Sequence, residues 1–116
     1  MTIILKNKET LQYKDFYFKC AIGKNGLTSK KEEGDKKTPQ GKFELDKLYY
    51  RKDRVKNIKT KIAIKSIDKR MGWCDDIKSK KYYNKLITCS KLLHHEKLYR
   101  KDNIYDLIIP IKYNFK

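Results

Sequence analysis

Between residues 2 and 22 the apolar side chains fall into three short runs: 2–5 (TIIL), 10–13 (TLQY) and 15–22 (DFYFKCAI). Lys-Asn and Lys-Asp steps interrupt them before any helical face of about ten residues can build up. Within the third run Phe16 and Phe18 would share one face of a strand, with Tyr17 and Lys19 on the other. The alternation returns in residues 61–67 (KIAIKSI), where Ile62, Ile64 and Ser66 oppose Ala63, Lys65 and Ile67. A chain of 116 residues is one domain at most. This patterning predicts a mostly-β domain with long loops.

The connections carry their own signals. GKNG at 23–26 reads as a turn, with Asn25-Gly26 suited to positive φ. Residues 28–37 are too charged for a core, and Asp35 beside Lys36 and Lys37 reads most simply as solvated charge. Thr38-Pro39-Gln40-Gly41 reads as a turn with proline at its second position, leading into a strand over 42–50. Residues 52–60 form a basic loop, and 68–81 a loop that carries Trp73, the only tryptophan. Residues 82–89 read as a short helix or irregular. Residues 92–100 (LLHHEKLYR) are the best helix candidate, with Leu92, Glu96 and Tyr99 near one face. LIIPIKY at 107–113 reads as a buried strand, which Pro110 demotes to an edge or a bulge. No internal repeat stands out.

Charge narrows the function classes. Thirty Lys and Arg against fourteen Asp and Glu leave a net charge of +16, which suits nucleic acid, an anionic membrane surface or another polyanion. The basic residues are 26 Lys and only 4 Arg, and Ile, Asn and Tyr are abundant while Ala occurs twice. That is the codon bias of an AT-rich genome, so solvated lysine is the simpler reading. Arginine, whose planar fork grips phosphate, is scarce. A small basic protein binding an anionic polymer such as nucleic acid stands as the alternative function. No segment is long and apolar enough to span a membrane, and no signal-peptide core is visible near the start.

Three cysteines without a CxxC spacing indicate neither a disulfide framework nor a zinc ribbon. Cys20, on a Phe/Tyr strand, reads as a small buried hydrophobe. Cys74, next to Asp75 and Asp76, sits where carboxylates disfavour a thiolate and reads as a structural loop cysteine. Cys89 is followed closely by His94 and His95. A Cys–His pair is the minimal activated nucleophile, set here against a plain cysteine, because sequence proximity does not fix geometry. Adjacent histidines on a helix diverge by about 100°, so a metal site over Cys89, His94, His95 and Glu96 is not expected. Phosphate-cradling glycine loops are absent, and no cofactor is expected. His95-Glu96 and Tyr105-Asp106 each set a donor beside a carboxylate, a pairing that often ties a loop to a strand.

Taken in order, 22–45 (IGKNGLTSKKEEGDKKTPQGKFEL), 71–76 (MGWCDD) and 95–114 (HEKLYRKDNIYDLIIPIKYN) resemble the L,D-transpeptidase catalytic domain in its short YkuD-like branch. The family's Gly-Asp, Lys and Thr-Pro-x-Gly-x-Phe connection is matched by Gly34, Asp35, Lys37, Thr38, Pro39, Gly41 and Phe43. Its Gly-Trp-Cys-Asp-Asp is matched by Gly72, Trp73, Cys74, Asp75 and Asp76. The segment His95, Glu96, Leu98, Arg100, Asp102, Tyr105 and Asp106 matches a third motif, and Tyr113-Asn114 a following Tyr-Asn.

The resemblance implies a β-sandwich or barrel with one short helix, acting in the cell envelope on peptidoglycan stem peptides. In such enzymes a cysteine thiolate attacks the carbonyl of a diamino acid, a histidine serves as base, and backbone N–H groups hold the oxyanion. It implies substrate contacts at His95, Glu96, Tyr105, Asp106 and Asn114, with the first two motifs as scaffold. The family's catalytic histidine and Gly-Cys nucleophile follow the Tyr-Asn segment, where this sequence stops, and none of the three cysteines matches them. The expectation is therefore a C-terminally truncated domain, inactive alone, without a catalytic residue. Its last strand would be an unpaired edge inviting self-association.

Overall fold

The hairpin pattern at the start of the chain becomes real strands in the computed structural model, which describes residues 2–113. β1 (Ile3–Asn7), β2 (Thr10–Tyr13) and β3 (Phe16–Lys19) form an antiparallel sheet in that order. The β2–β3 register pairs Tyr13 with Phe16, so Lys14 and Asp15 make the corner. Lys14 turns it at a φ of 52°. Ile3, Leu5, Leu11, Tyr13, Phe16 and Phe18 fall on one face, because each is opposite another of the set and strand faces alternate. The Phe16 and Phe18 rings stack with centroids 6.5 Å apart. Cys20 is not buried as expected: it lies half-exposed beyond the end of β3, its amide donating to the Glu9 carbonyl.

Thr38-Pro39 is not a turn. It forms β5 (Thr38–Pro39), parallel to β4 (Leu27–Thr28). The Thr38 amide donates to the Gly26 carbonyl and the Gln40 amide to the Thr28 carbonyl, each at 2.8 Å. Pro39 falls between these donors, where the ladder needs no N–H from it. Asp35 corrects the reading of a solvated charge. Its carboxylate is half-buried, takes a contact from Lys31 Nζ and accepts the amides of Glu32 and Lys37 at 2.8 and 2.9 Å. Gly34 precedes it at a φ of 79°, a conformation that costs glycine little.

The Lys31 contact first, then the two amides, holds the Asp35 carboxyl at about 2 against an ordinary 3.8. The folded state therefore binds this proton less tightly than the unfolded chain. Its stabilisation is fully present above pH 3.8 and is lost as pH falls through about 2. Amide chemical shifts of Glu32 and Lys37 should titrate together across that window, and Asp35→Asn should remove the transition.

The chain divides into two compact units, Met1–Lys42 and Phe43–Lys116. In the second, β6 (Leu48–Tyr50) is central, parallel to β7 (Ile64–Ser66) and antiparallel to β11 (Leu107–Ile108). The expected strands over 42–50 and 107–113 contract to these short pieces, joined further by a single bridge between Leu45 and Ile111. Leu107 is half-exposed rather than buried.

A second sheet has β8 (Met71–Cys74) at its centre, flanked by β9 (Leu86–Thr88) and β10 (His95–Lys97), both antiparallel. The expected loop over 68–81 thus contains a central strand. The expected short helix is absent: every regular element among the described residues is a strand. A helix over 92–100 would have put Leu92 on its packed face, yet Leu92 is 91% exposed and Leu98 only 1%. So short a helix is marginal alone, and the β8 ladder offers its backbone a better set of hydrogen bonds. Tyr49, Ile67 and Leu98 form the core, with Met71, Trp73, Leu86, Tyr99, Tyr105 and Ile108 packed on it. The fold is mostly β.

Candidate functional site

Two motifs distant in sequence meet on the β10–β8–β9 sheet. The antiparallel register places His95 opposite Cys74, Glu96 opposite Trp73 and Lys97 opposite Gly72. Alternation then splits them. Trp73 and Glu96 lie on the core side, while Gly72, Cys74, His95 and Lys97 lie on the other. Trp73 is an anchor: it packs on the core and its Nε1 donates to Asn84 Oδ1 at 3.0 Å. Cys74 is fully buried, a structural cysteine on a strand rather than in a loop.

Asp75 and Asp76 continue from β8 and fasten the segment before β10. The Asp75 amide donates to the His94 carbonyl at 3.2 Å, and the His94 ring contacts the Asp75 carboxylate through Nδ1. Asp76 accepts the His94 amide at 3.2 Å and the Lys78 amide at 3.0 Å. Those two bonds, His94 first, hold its carboxyl below the usual carboxylate range. The Asp-Asp pair is a double clamp for residue 94. Among the described residues no group of three or more His, Cys, Asp or Glu is placed to hold a metal ion.

On the core side the Tyr105 hydroxyl donates to Glu96 Oε1. Asp106 instead accepts from Arg54 Nη1 at 2.9 Å. Of the five expected substrate contacts, Glu96 and Tyr105 therefore meet each other. His95 lies on the opposite face of β10, Asp106 is engaged internally, and Asn114 lies outside the described residues. Burial, then the Glu96 contact, pushes the Tyr105 phenol well above its ordinary ionisation range. The folded phenol keeps its proton where the unfolded one loses it. The stabilisation is whole below pH 10.0 and falls as pH rises beyond it. Tyr105→Phe should cost roughly 1 kcal/mol at neutral pH and flatten this alkaline decline, as followed by denaturant unfolding.

Arg51 and Arg54 escape the sequence reading, although a signal was present. Tyr-Arg-Lys-Asp occurs twice, at 50–53 and 99–102, a short repeat hidden in the lysine background. Both copies fold the same way locally: Arg51 grips Asp53 through Nε and Nη2, and Arg100 grips Asp102 through the same atoms. Arg51 is the one buried charged residue of the described chain, 3% exposed. It stacks 3.6 Å above the Tyr99 ring and donates to the Arg100 carbonyl at 2.6 Å. Arg54 donates to the carbonyls of Lys101 and Asp102 as well as to Asp106. Two arginines from the loop after β6 thereby shape the whole 100–106 segment.

Among the described residues no helix is long and apolar enough to cross a membrane. Comparison with curated proteins and with solved structures returns no match. The family model of the L,D-transpeptidase catalytic domain, YkuD, matches residues 1–112. That span takes in the Gly34–Gly41 connection, the Gly72–Asp76 strand and the His95–Asp106 segment. The chain belongs to the L,D-transpeptidase catalytic domain family.

Proposed function

We propose that these residues form the substrate-presenting scaffold of a peptidoglycan-directed acyl transferase, and that they do not transfer acyl groups by themselves. The supporting observation is where the thiols stand. An acyl-transfer cysteine needs its sulfur accessible and N–H groups free to receive the developing oxyanion. Cys74 is fully buried. The amides of Cys20, Cys74 and Cys89 all donate to backbone carbonyls, those of Glu9, Lys85 and Arg70, at 2.8, 2.9 and 2.7 Å. Each sulfur thus lacks the donor nearest to it. Glu96 and Tyr105, joined at the edge of the core, are the polar pair through which a stem peptide would be held.

The test uses this chain with a stem tetrapeptide and an acceptor amine. Mass spectrometry should find no release of the terminal D-residue and no cross-linked product, while calorimetry registers binding of the tetrapeptide. A carbapenem should leave the protein's intact mass unchanged. An acyl adduct on any cysteine would refute the inactive reading, and absence of stem-peptide binding would refute the scaffold reading.

The net charge of +16 supports a second reading, binding of an anionic polymer such as nucleic acid. Against it, Arg51, Arg54 and Arg100 are paired with Asp53, Asp106 and Asp102, leaving the lysines and Arg70 for phosphate. Binding to single-stranded DNA at low salt, with affinity falling steeply as salt rises, would favour it. No binding at low salt would dispose of it.

A further inference from the structure

We propose that Cys89 is a thiol–disulfide exchange site, with His95 as the base that takes the thiol proton. The geometry centres on Gly72. A Cβ added there would stand 2.9 Å from His95 Cδ2 and 3.2 Å from Cys89 Sγ. The thiol and the imidazole therefore converge over the one residue of β8 that has no side chain to keep them apart. Both are half-buried, so neither is lost in the core. Cys74, on the same face, is closed off completely.

The tautomer suits the role. His95 Nδ1 lies 2.8 Å from the Leu93 carbonyl oxygen, which can only accept, so Nδ1 carries the proton. Nε2, bonded to the Cδ2 that lies against Gly72, is then the free acceptor of the neutral ring. Lys97, opposite Gly72 and on the same face, adds positive charge where an anionic disulfide would approach. Cys89 is partly exposed, so a small organic disulfide can reach it from solvent.

The step balances without another redox partner. His95 Nε2 takes the thiol proton, and the Cys89 sulfur attacks one sulfur of a low-molecular-weight disulfide. The disulfide's S–S bond breaks as a new one forms to Cys89. The departing thiolate takes the electron pair and then the proton from His95. The products are one mixed disulfide and one free thiol, and a second thiol reverses the reaction. No oxyanion forms, so the engaged amide of Cys89 is no obstacle, and the proposal stands whether or not the chain binds stem peptides.

The test exposes the native chain to 5,5′-dithiobis(2-nitrobenzoate) and locates the adducts by peptide mass spectrometry. Cys89 should react first, Cys20 after it, and Cys74 only in denaturant. His95→Gln should slow Cys89 on the order of 100-fold, the lower end of what a positioned base supplies. In denaturant the variant and the parent should react alike. A folded His95→Gln chain with an unchanged Cys89 rate would overturn the proposal. So would Cys20 keeping pace with Cys89 in the unsubstituted protein, an outcome that needs no variant to fold.

Discussion

Leu98→Ala should lower the unfolding free energy by roughly 2–5 kcal/mol, the range for deleting a fully buried leucine side chain. Leu98 is 1% exposed and belongs to the core with Tyr49 and Ile67. Its backbone is pinned as well, since its amide donates to the Met71 carbonyl at 3.2 Å. The strands around it therefore cannot slide inward to fill the void. For a chain of this size each lost kcal/mol lowers the melting temperature by about 4 °C, so the melt should fall by roughly 10 °C or more. Trp73, packed against the same cluster, makes its fluorescence the natural probe. A loss below about 1 kcal/mol would mean that the core closes over the cavity.

Gly23→Ala acts on the other unit through excess volume. The new Cβ would lie 2.6 Å from the Lys36 carbonyl oxygen, 2.7 Å from the Lys37 carbonyl carbon and 2.8 Å from Lys37 Cα. These are backbone atoms that cannot swing aside. The Gly23 amide also donates to Thr38 Oγ1 at 2.7 Å, so relieving the clash pulls β5 from its place. The cost should be about 1–3 kcal/mol, concentrated locally. Hydrogen exchange at the Thr38 and Gln40 amides should rise sharply, while the Leu98 amide is unaffected. Unchanged protection at residues 38 and 40 would show that the 36–37 backbone yields freely.

The sheet at the start of the chain was legible because its pairs are neighbours in sequence. The segment 10–13 is β2 to the residue, and 15–22 contains β3. β8 was not legible. Met-Gly-Trp-Cys has neither β-branched residues nor clean alternation, and its partners begin at Leu86 and His95. Thr38-Pro39 misled for a related reason, since proline is a turn signal locally and an edge-strand residue only when a distant neighbour arrives. In 92–100 a weak helical spacing competed with strand pairing, and tertiary hydrogen bonding won. The motif segments of the site were recognisable, yet their division between two faces of β10 depends on register. Arg54 sits in the basic 52–60 loop and Arg51 just before it, where nothing local signals their roles, because their partners sit nearly fifty residues away.

The Lys14 corner has a meaning beyond the hairpin it closes. Lys14 and Lys36 both hold left-handed backbone, at φ of 52° and 58°, where a lysine side chain is disfavoured and asparagine or glycine is at ease. Asn57 and Asn84 occupy the same region with a residue suited to it. Lysine and asparagine codons differ in one base, and both are built from A-rich triplets. At these two corners the backbone carries a torsional cost that glycine would not impose, and the fold tolerates it.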